Sequence, residues 1–285
     1  MGNWVRLGDR IVISAGYQHM ANPMINSETV DTVLVAGCSF AGIAAGYSHP
    51  APKVNLDRFQ FFGDAAAGNR AIAARVRHQV SRSKYEHVVV MWSGINRIDI
   101  PIERAIQEKL PDTYPYVSVF EEWAWYLSGG MGSSWQSDDN CPIQIKSQLR
   151  EQYVQQTPRS ATDTTLAAIL ETQELLNSRN VNYTMCFIYD IHQSYDEVVD
   201  KVTNTYRRTI GTDRWPRWLA LEHCLGKIDT TSSLYSMVDW TKFTVPVPPY
   251  EYCAERNLLQ IDQFHPTSFG MAEWFDTQVG FNITS

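Results

Sequence analysis

Charge is scarce in this chain. Only 19% of its 285 residues are Asp, Glu, Lys or Arg, against roughly a quarter in ordinary soluble proteins. That scarcity suits large buried or partner-covered surfaces. The net charge is −7, and no Lys/Arg run interleaves with aromatic residues. The electrostatic footprint of a nucleic-acid binder is therefore missing. No apolar stretch approaches the ~20 residues of a membrane-spanning helix. The opening "MGNWVRLGDRIVISAG" lacks the long apolar block of a secretory signal. Residues 2–6 lack the Ser or Thr of a myristoylation signal. The expectation is a soluble protein made in the cytoplasm, with neither nucleic acid nor membrane as a partner. Cysteine is sparse too. Cys38, Cys141, Cys186, Cys224 and Cys253 make an odd set without a C-x-x-C pair. That argues against a disulfide scaffold and against a zinc cluster.

What the chain does have is apolar material, 44% of it, enough to fill a core. Three short runs read as buried strands: "VLVAG" 33–37, "HVVVMW" 87–92 and "YTMCFIY" 183–189. Their polarity does not alternate, as a parallel sheet covered on both faces requires. Helical patterns lie between them. Ile72, Val76 and Val80 form one stripe in 68–80, and Leu166, Ile169, Leu170 and Leu176 another in 162–178. Strands alternating with helices predict an α/β fold: a three-layer α/β/α sandwich with a mainly parallel central sheet. Between about 98 and 160 the pattern is lost among prolines, the cluster "SGGMGSSW" and Trp123, Trp125 and Trp135. This stretch reads as an aromatic-rich insertion, with a helix expected around 116–128. A second irregular region covers about 208–260. Residues 1–30 read as an N-terminal arm or extra strand before a domain over 31–285.

The stretch "VLVAGCSFAG", 33–42, ends a buried strand on a serine. A phosphate loop would place a lysine at position 43, where Ile43 stands. A G-x-S-x-G elbow would need glycine at 41, where Ala41 stands, and more strands before it. Helix capping is the plain reading of Ser39. The far end of the chain opens another. In "QIDQFHPTSFG", Asp262 and His265 are three residues apart, followed by Pro266, which suits a helix start. That spacing lets a carboxylate orient an imidazole whose second nitrogen faces a hydroxyl. The alternative is a turn aspartate and a histidine that merely precedes a helix. After the second strand, "WSGINR" carries Asn96, either a turn residue or an amide donor for a developing oxyanion. In "FFGDAAAGNR", Gly63 or Gly68 offers a backbone N–H without a side chain in the way.

Taken together and in this order, these segments resemble the SGNH (GDSL-like) hydrolase superfamily. Gly37-Cys38-Ser39-Phe40 stands for the first block, Gly68 (or Gly63) for the second, Gly94-Ile95-Asn96-Arg97 for the third and Asp262-x-x-His265-Pro266 for the last. The resemblance spans about residues 31–280. It implies a flavodoxin-like sandwich and a serine esterase with Ser39 as nucleophile, His265 as base and Asp262 as its orienter. It further implies an oxyanion hole made by the N–H groups of Ser39 and Gly68 with the Asn96 side chain, and a reaction with no metal and no cofactor. Two positions depart from the family pattern. Cys38 replaces an aspartate, and Arg97 replaces another, where it either meets an anionic substrate or pairs with Asp99. Trp123 and Trp125 either stack on sugar rings, which points to O-acyl or O-acetyl esters of carbohydrate, or serve as core or subunit contacts. The Trp-Ser-Gly-x-Asn-Arg form also looks like versions encoded by bacteriophages. That would set the protein in a virion, beside other virion proteins or copies of itself. The competing expectation is a virion structural protein that keeps this fold without turnover.

Overall fold

The structure, a computed structural model, describes residues 5–7, 10–12, 32–44, 58–64, 66–103, 117–120, 123–129, 141–192, 226–260 and 265–281. Within the expected arm, β1 (Val5–Leu7) and β2 (Arg10–Val12) pair antiparallel with each other as a separate two-stranded sheet.

The apolar run at 33–37 forms β3 (Val33–Gly37), wholly buried, and leads directly into the short helix α1 (Ser39–Ala44). Next come β4 (Phe59–Gly63), α2 (Asn69–Arg82) and β5 (His87–Trp92). The insertion contributes β6 (Asp99–Ile102), β7 (Val117–Phe120), β8 (Trp123–Leu127) and α3 (Ile143–Gln155). After it follow α4 (Pro158–Ser178) and β9 (Asn182–Phe187). Two short helices follow, α5 (Pro249–Glu255) and α6 (Ser268–Trp274), and a π-helical turn over Phe275–Val279 continues α6.

The central sheet has the order β4-β3-β5-β9, all parallel. Handedness then fixes the layers. The crossovers from β4 to β5 and from β5 to β9 run the same way across the sheet. Right-handed connections therefore put α2 and α4 on one face. The step from β3 to β4 runs the other way and puts α1 on the opposite face. The packing agrees: α2 lies on α4, and α1 lies on α6. The result is the expected α/β/α sandwich. Ile72, Val76 and Val80 point from α2 into the core, as their spacing predicted. No described helix is long and apolar enough to cross a membrane.

Three expectations need correction. The segment at 116–128 is not a helix: β7 and β8 form an antiparallel pair, and β8 also pairs with β6. Ala124 and Tyr126 are buried while Trp125 between them is half-buried, a period of two. The region expected to lack pattern also contains α3. Its Ile145, Leu149 and Tyr153 recur every four residues and bury against Ile100, Ile102, Ala124 and Tyr126 as a second small core. The Tyr153 hydroxyl meets Ser128 Oγ at 2.5 Å and accepts from the Ile98 N–H at 3.3 Å, tying α3 to the sheet. Finally, α4 begins four residues before the expected 162. Thr157 caps it, Pro158 occupies the first turn, and Ser160 bonds back to the Thr157 N–H. Such a reciprocal cap satisfies two donors that a helix end leaves open.

Candidate active site

The sheet order creates a place for a site before any side chain is considered. From β3 the chain turns to one side of the sheet, and from β5 it turns to the other. In open α/β sheets the crevice at such a switch point, beyond the carboxyl ends of the strands, is where ligands bind. Ser39 follows β3 there, and residues 93–98 follow β5.

The serine turn is pressed tightly onto the sheet. A Cβ on Gly63 would stand 2.1 Å from Gly42 N and 2.7 Å from Cys38 O. Only a glycine lets α1 rest this close to β4. Ser39 is the first residue of α1, so its N–H belongs to the first turn, where no intrahelical acceptor exists. Its hydroxyl is turned toward the far end of the chain: Ser39 Oγ lies 3.1 Å from His265 Nε2. That is hydrogen-bond reach between residues 226 positions apart.

His265 is held by its backbone. Its carbonyl accepts from the Gln260 N–H at 2.7 Å, and the Thr267 N–H donates to Leu258 O at 2.7 Å. Leu259 and Pro266 form an antiparallel bridge between these bonds. Thr267 then caps α6 through the Gly270 N–H. Pro266 therefore stands one residue before the cap and not inside the helix start. The Phe40 ring lies against the imidazole, centroids 5.7 Å apart. Asp262 lies outside the described residues.

The loop after β5 is clamped to the start of α2. Buried Asn69 accepts the Ser93 N–H at 2.8 Å and donates to Ser93 O at 3.3 Å and Thr165 Oγ1 at 3.1 Å. Asp99 closes a second clamp, accepting from the N–H groups of Gly68 at 2.9 Å and Ala71 at 3.1 Å. Gly68 caps α2 without a side chain, and the Asp99 carboxylate takes over the capping role from another strand. Burial pushes the Asp99 carboxyl up to about 6, although the Gly68 and Ala71 N–H bonds and the nearby Arg97 and Arg70 charges pull it down.

Asp99 bears on one expected assignment. The Gly68 N–H, expected as an oxyanion donor, donates to this buried carboxylate. Arg97 is engaged in the same place: Nη1 donates to Ala67 O at 3.0 Å, beside Asp99. Asn96 sits at the turn closed by the Arg97 N–H to Gly94 O, its amide packed against Gly226. Trp125 is half-buried on β8, with the Arg70 guanidinium 5.4 Å from its ring centroid. Trp123 belongs to β8, and its side chain lies outside the described residues. Sequence reading missed Asn69, and it named Asp99 only as a possible partner of Arg97, not as the cap of α2. Their partners stand between 24 and 96 positions away, and nothing local marks them.

No known family model matches the sequence, and no curated protein matches it either.

Proposed function

We propose that this protein is a serine hydrolase of the SGNH type that cleaves an ester. The observation that carries the reading is the 3.1 Å approach of Ser39 Oγ to His265 Nε2 at the switch point of the sheet. A serine hydroxyl is a weak nucleophile until a base removes its proton. His265 Nε2 takes that proton as Oγ attacks the ester carbonyl. The tetrahedral oxyanion is stabilised by the Ser39 N–H and the Asn96 side-chain N–H₂, the donors that the family resemblance implies. The intermediate collapses and the C–O bond to the alcohol breaks. The leaving oxygen takes the proton from the His265 imidazolium. Water repeats the cycle on the acyl-enzyme: His265 accepts its proton, the acid departs, and Ser39 recovers its hydrogen. Asp262 orients the imidazole, a role that rests on its three-residue spacing from His265 and on the family resemblance. The substrate class we favour is an O-acyl or O-acetyl ester of a carbohydrate. The motive is the aromatic-rich insertion: Trp125 is half-buried, and exposed Arg70, whose guanidinium lies over its ring, must swing aside for a sugar ring to stack there.

Hydrolysis of p-nitrophenyl acetate tests the reaction. The native chain should turn it over, and both Ser39→Ala and His265→Ala should fall to background, because the two residues act as one unit. Full activity in His265→Ala would refute the assignment of the base. An inactive but folded native chain would refute the reaction itself.

A further inference from the structure

We infer that Gly226 and Tyr189 are positioning residues for the Asn96 amide, an inference that rests on the hydrolase reading above. The evidence is a close contact. A Cβ on Gly226 would stand 2.6 Å from Asn96 Nδ2 and 2.7 Å from both its Cγ and its Oδ1. That position is equally near all three atoms, so the side-chain direction of Gly226 points at the flat face of the amide and has no room for a methyl group. Gly226 has φ +68°, the left-handed region that favours glycine.

This wall is itself fixed. The Gly226 carbonyl accepts a 2.6 Å hydrogen bond from the hydroxyl of Tyr189, a buried residue just beyond β9. The stretch of chain after Gly226 is fastened repeatedly to the sandwich. The Ile228 N–H donates to Ile191 O at 3.0 Å, and the Asp229 N–H donates to Thr162 Oγ1 at 3.0 Å. The Gln173 amide accepts the Asp239 N–H at 3.0 Å and donates to the Asp239 carbonyl at 2.9 Å. Thr162 and Gln173 both belong to α4, so this segment runs as a strap along one helix. On the other side of Asn96, the Asn69–Ser93 and Asp99–Gly68 clamps hold the loop that carries it.

The strap has a chemical consequence. An oxyanion donor contributes most when it is already aimed before charge develops. A lone asparagine on a turn would sample several rotamers. Pressed against a fixed glycine, its amide loses that freedom before substrate arrives. Gly226 thus selects the Asn96 conformation, and Tyr189 holds Gly226.

A double-mutant cycle with p-nitrophenyl acetate tests this. Gly226→Ala should lower kcat by roughly 10²–10³-fold, the usual loss of one oxyanion donor, with KM changed far less. In an Asn96→Ala background the same substitution should change kcat by less than about threefold, since coupled residues are not additive. Tyr189→Phe is the milder variant should Gly226→Ala fold poorly. It should lower kcat by roughly fivefold, the size of one neutral hydrogen bond, and that loss should also vanish beside Asn96→Ala. Equal losses with and without the Asn96 amide would overturn the inference. A structure of Gly226→Ala provides a readout that needs no turnover. The Asn96 side chain should leave its native position, and an unmoved amide overturns the inference. A native chain that cleaves no ester would sink the hydrolase reading, while that structure still decides the steric one.

Discussion

Replacing Asp99 with asparagine should change how stability depends on pH. The carboxyl is buried, and its folded-state value of about 6 lies above the unfolded one, which is near 3.9. Between those values the folded chain holds a proton that the unfolded chain has released. Stability therefore falls as pH rises from about 4 to about 6, and this contribution is flat above that. A gap of about two pH units at 1.36 kcal/mol each is roughly 3 kcal/mol. The amide introduced by Asp99→Asn cannot ionise and removes that dependence. Urea unfolding of both proteins at pH 4.5 and pH 7.5 measures it. The stability of wild type relative to Asp99→Asn should drop by roughly 2 kcal/mol between the two conditions, since part of the change already lies below pH 4.5. The opposite trend would mean that the Gly68 and Ala71 N–H bonds and the Arg97 charge outweigh desolvation. Parallel pH profiles would mean that Asp99 does not titrate in this range. Either result refutes the reasoning.

Other outcomes follow from single contacts. Gly63→Ala puts a methyl into the α1 backbone, so the Ser39 turn must move. Esterase activity should fall by about 10²-fold, as for other angstrom-scale misplacements, and stability should drop by roughly 1–3 kcal/mol from overpacking; an unchanged rate would show that α1 can shift without disturbing Ser39. Thr157→Ala should cost about 1 kcal/mol by removing the α4 cap, read as a thermal midpoint lower by ~2–4 °C, with turnover unchanged. Trp125→Ala should impair hydrolysis of an acetylated polysaccharide more than that of p-nitrophenyl acetate, and equal losses would remove Trp125 from the substrate surface.

Legibility in the sequence followed physical range. β3 and β5 were readable because a strand buried on both faces must be a continuous apolar run, and 33–37 and 88–92 are fully buried. β4 was not, because it is an edge strand whose half-buried positions admit a polar residue, and Gln60 breaks the run. The stripe of α3 was blurred by Ile143 and Val154, apolar residues that the fold leaves exposed. β8 was misread because its alternation is carried by Trp125, too large and apolar to mark an outward position. At the site, Ser39 and His265 could be paired because each sits in a short motif at a strand or helix end. The commitment of Gly68 could not be foreseen, since it depends on a carboxylate delivered by β6 from outside the motif.

The central claim is that Ser39 is an activated nucleophile. A fluorophosphonate probe tests it directly, because only a serine with an adjacent base and an oxyanion site reacts quickly, and the adduct mimics the tetrahedral transition state. Peptide mass spectrometry of the labelled native chain should place the adduct on Ser39. Ser39→Ala should show none, and His265→Ala should be labelled at a small fraction of the native rate. A folded native chain that stays unlabelled, or that carries the label on another residue, would contradict the account.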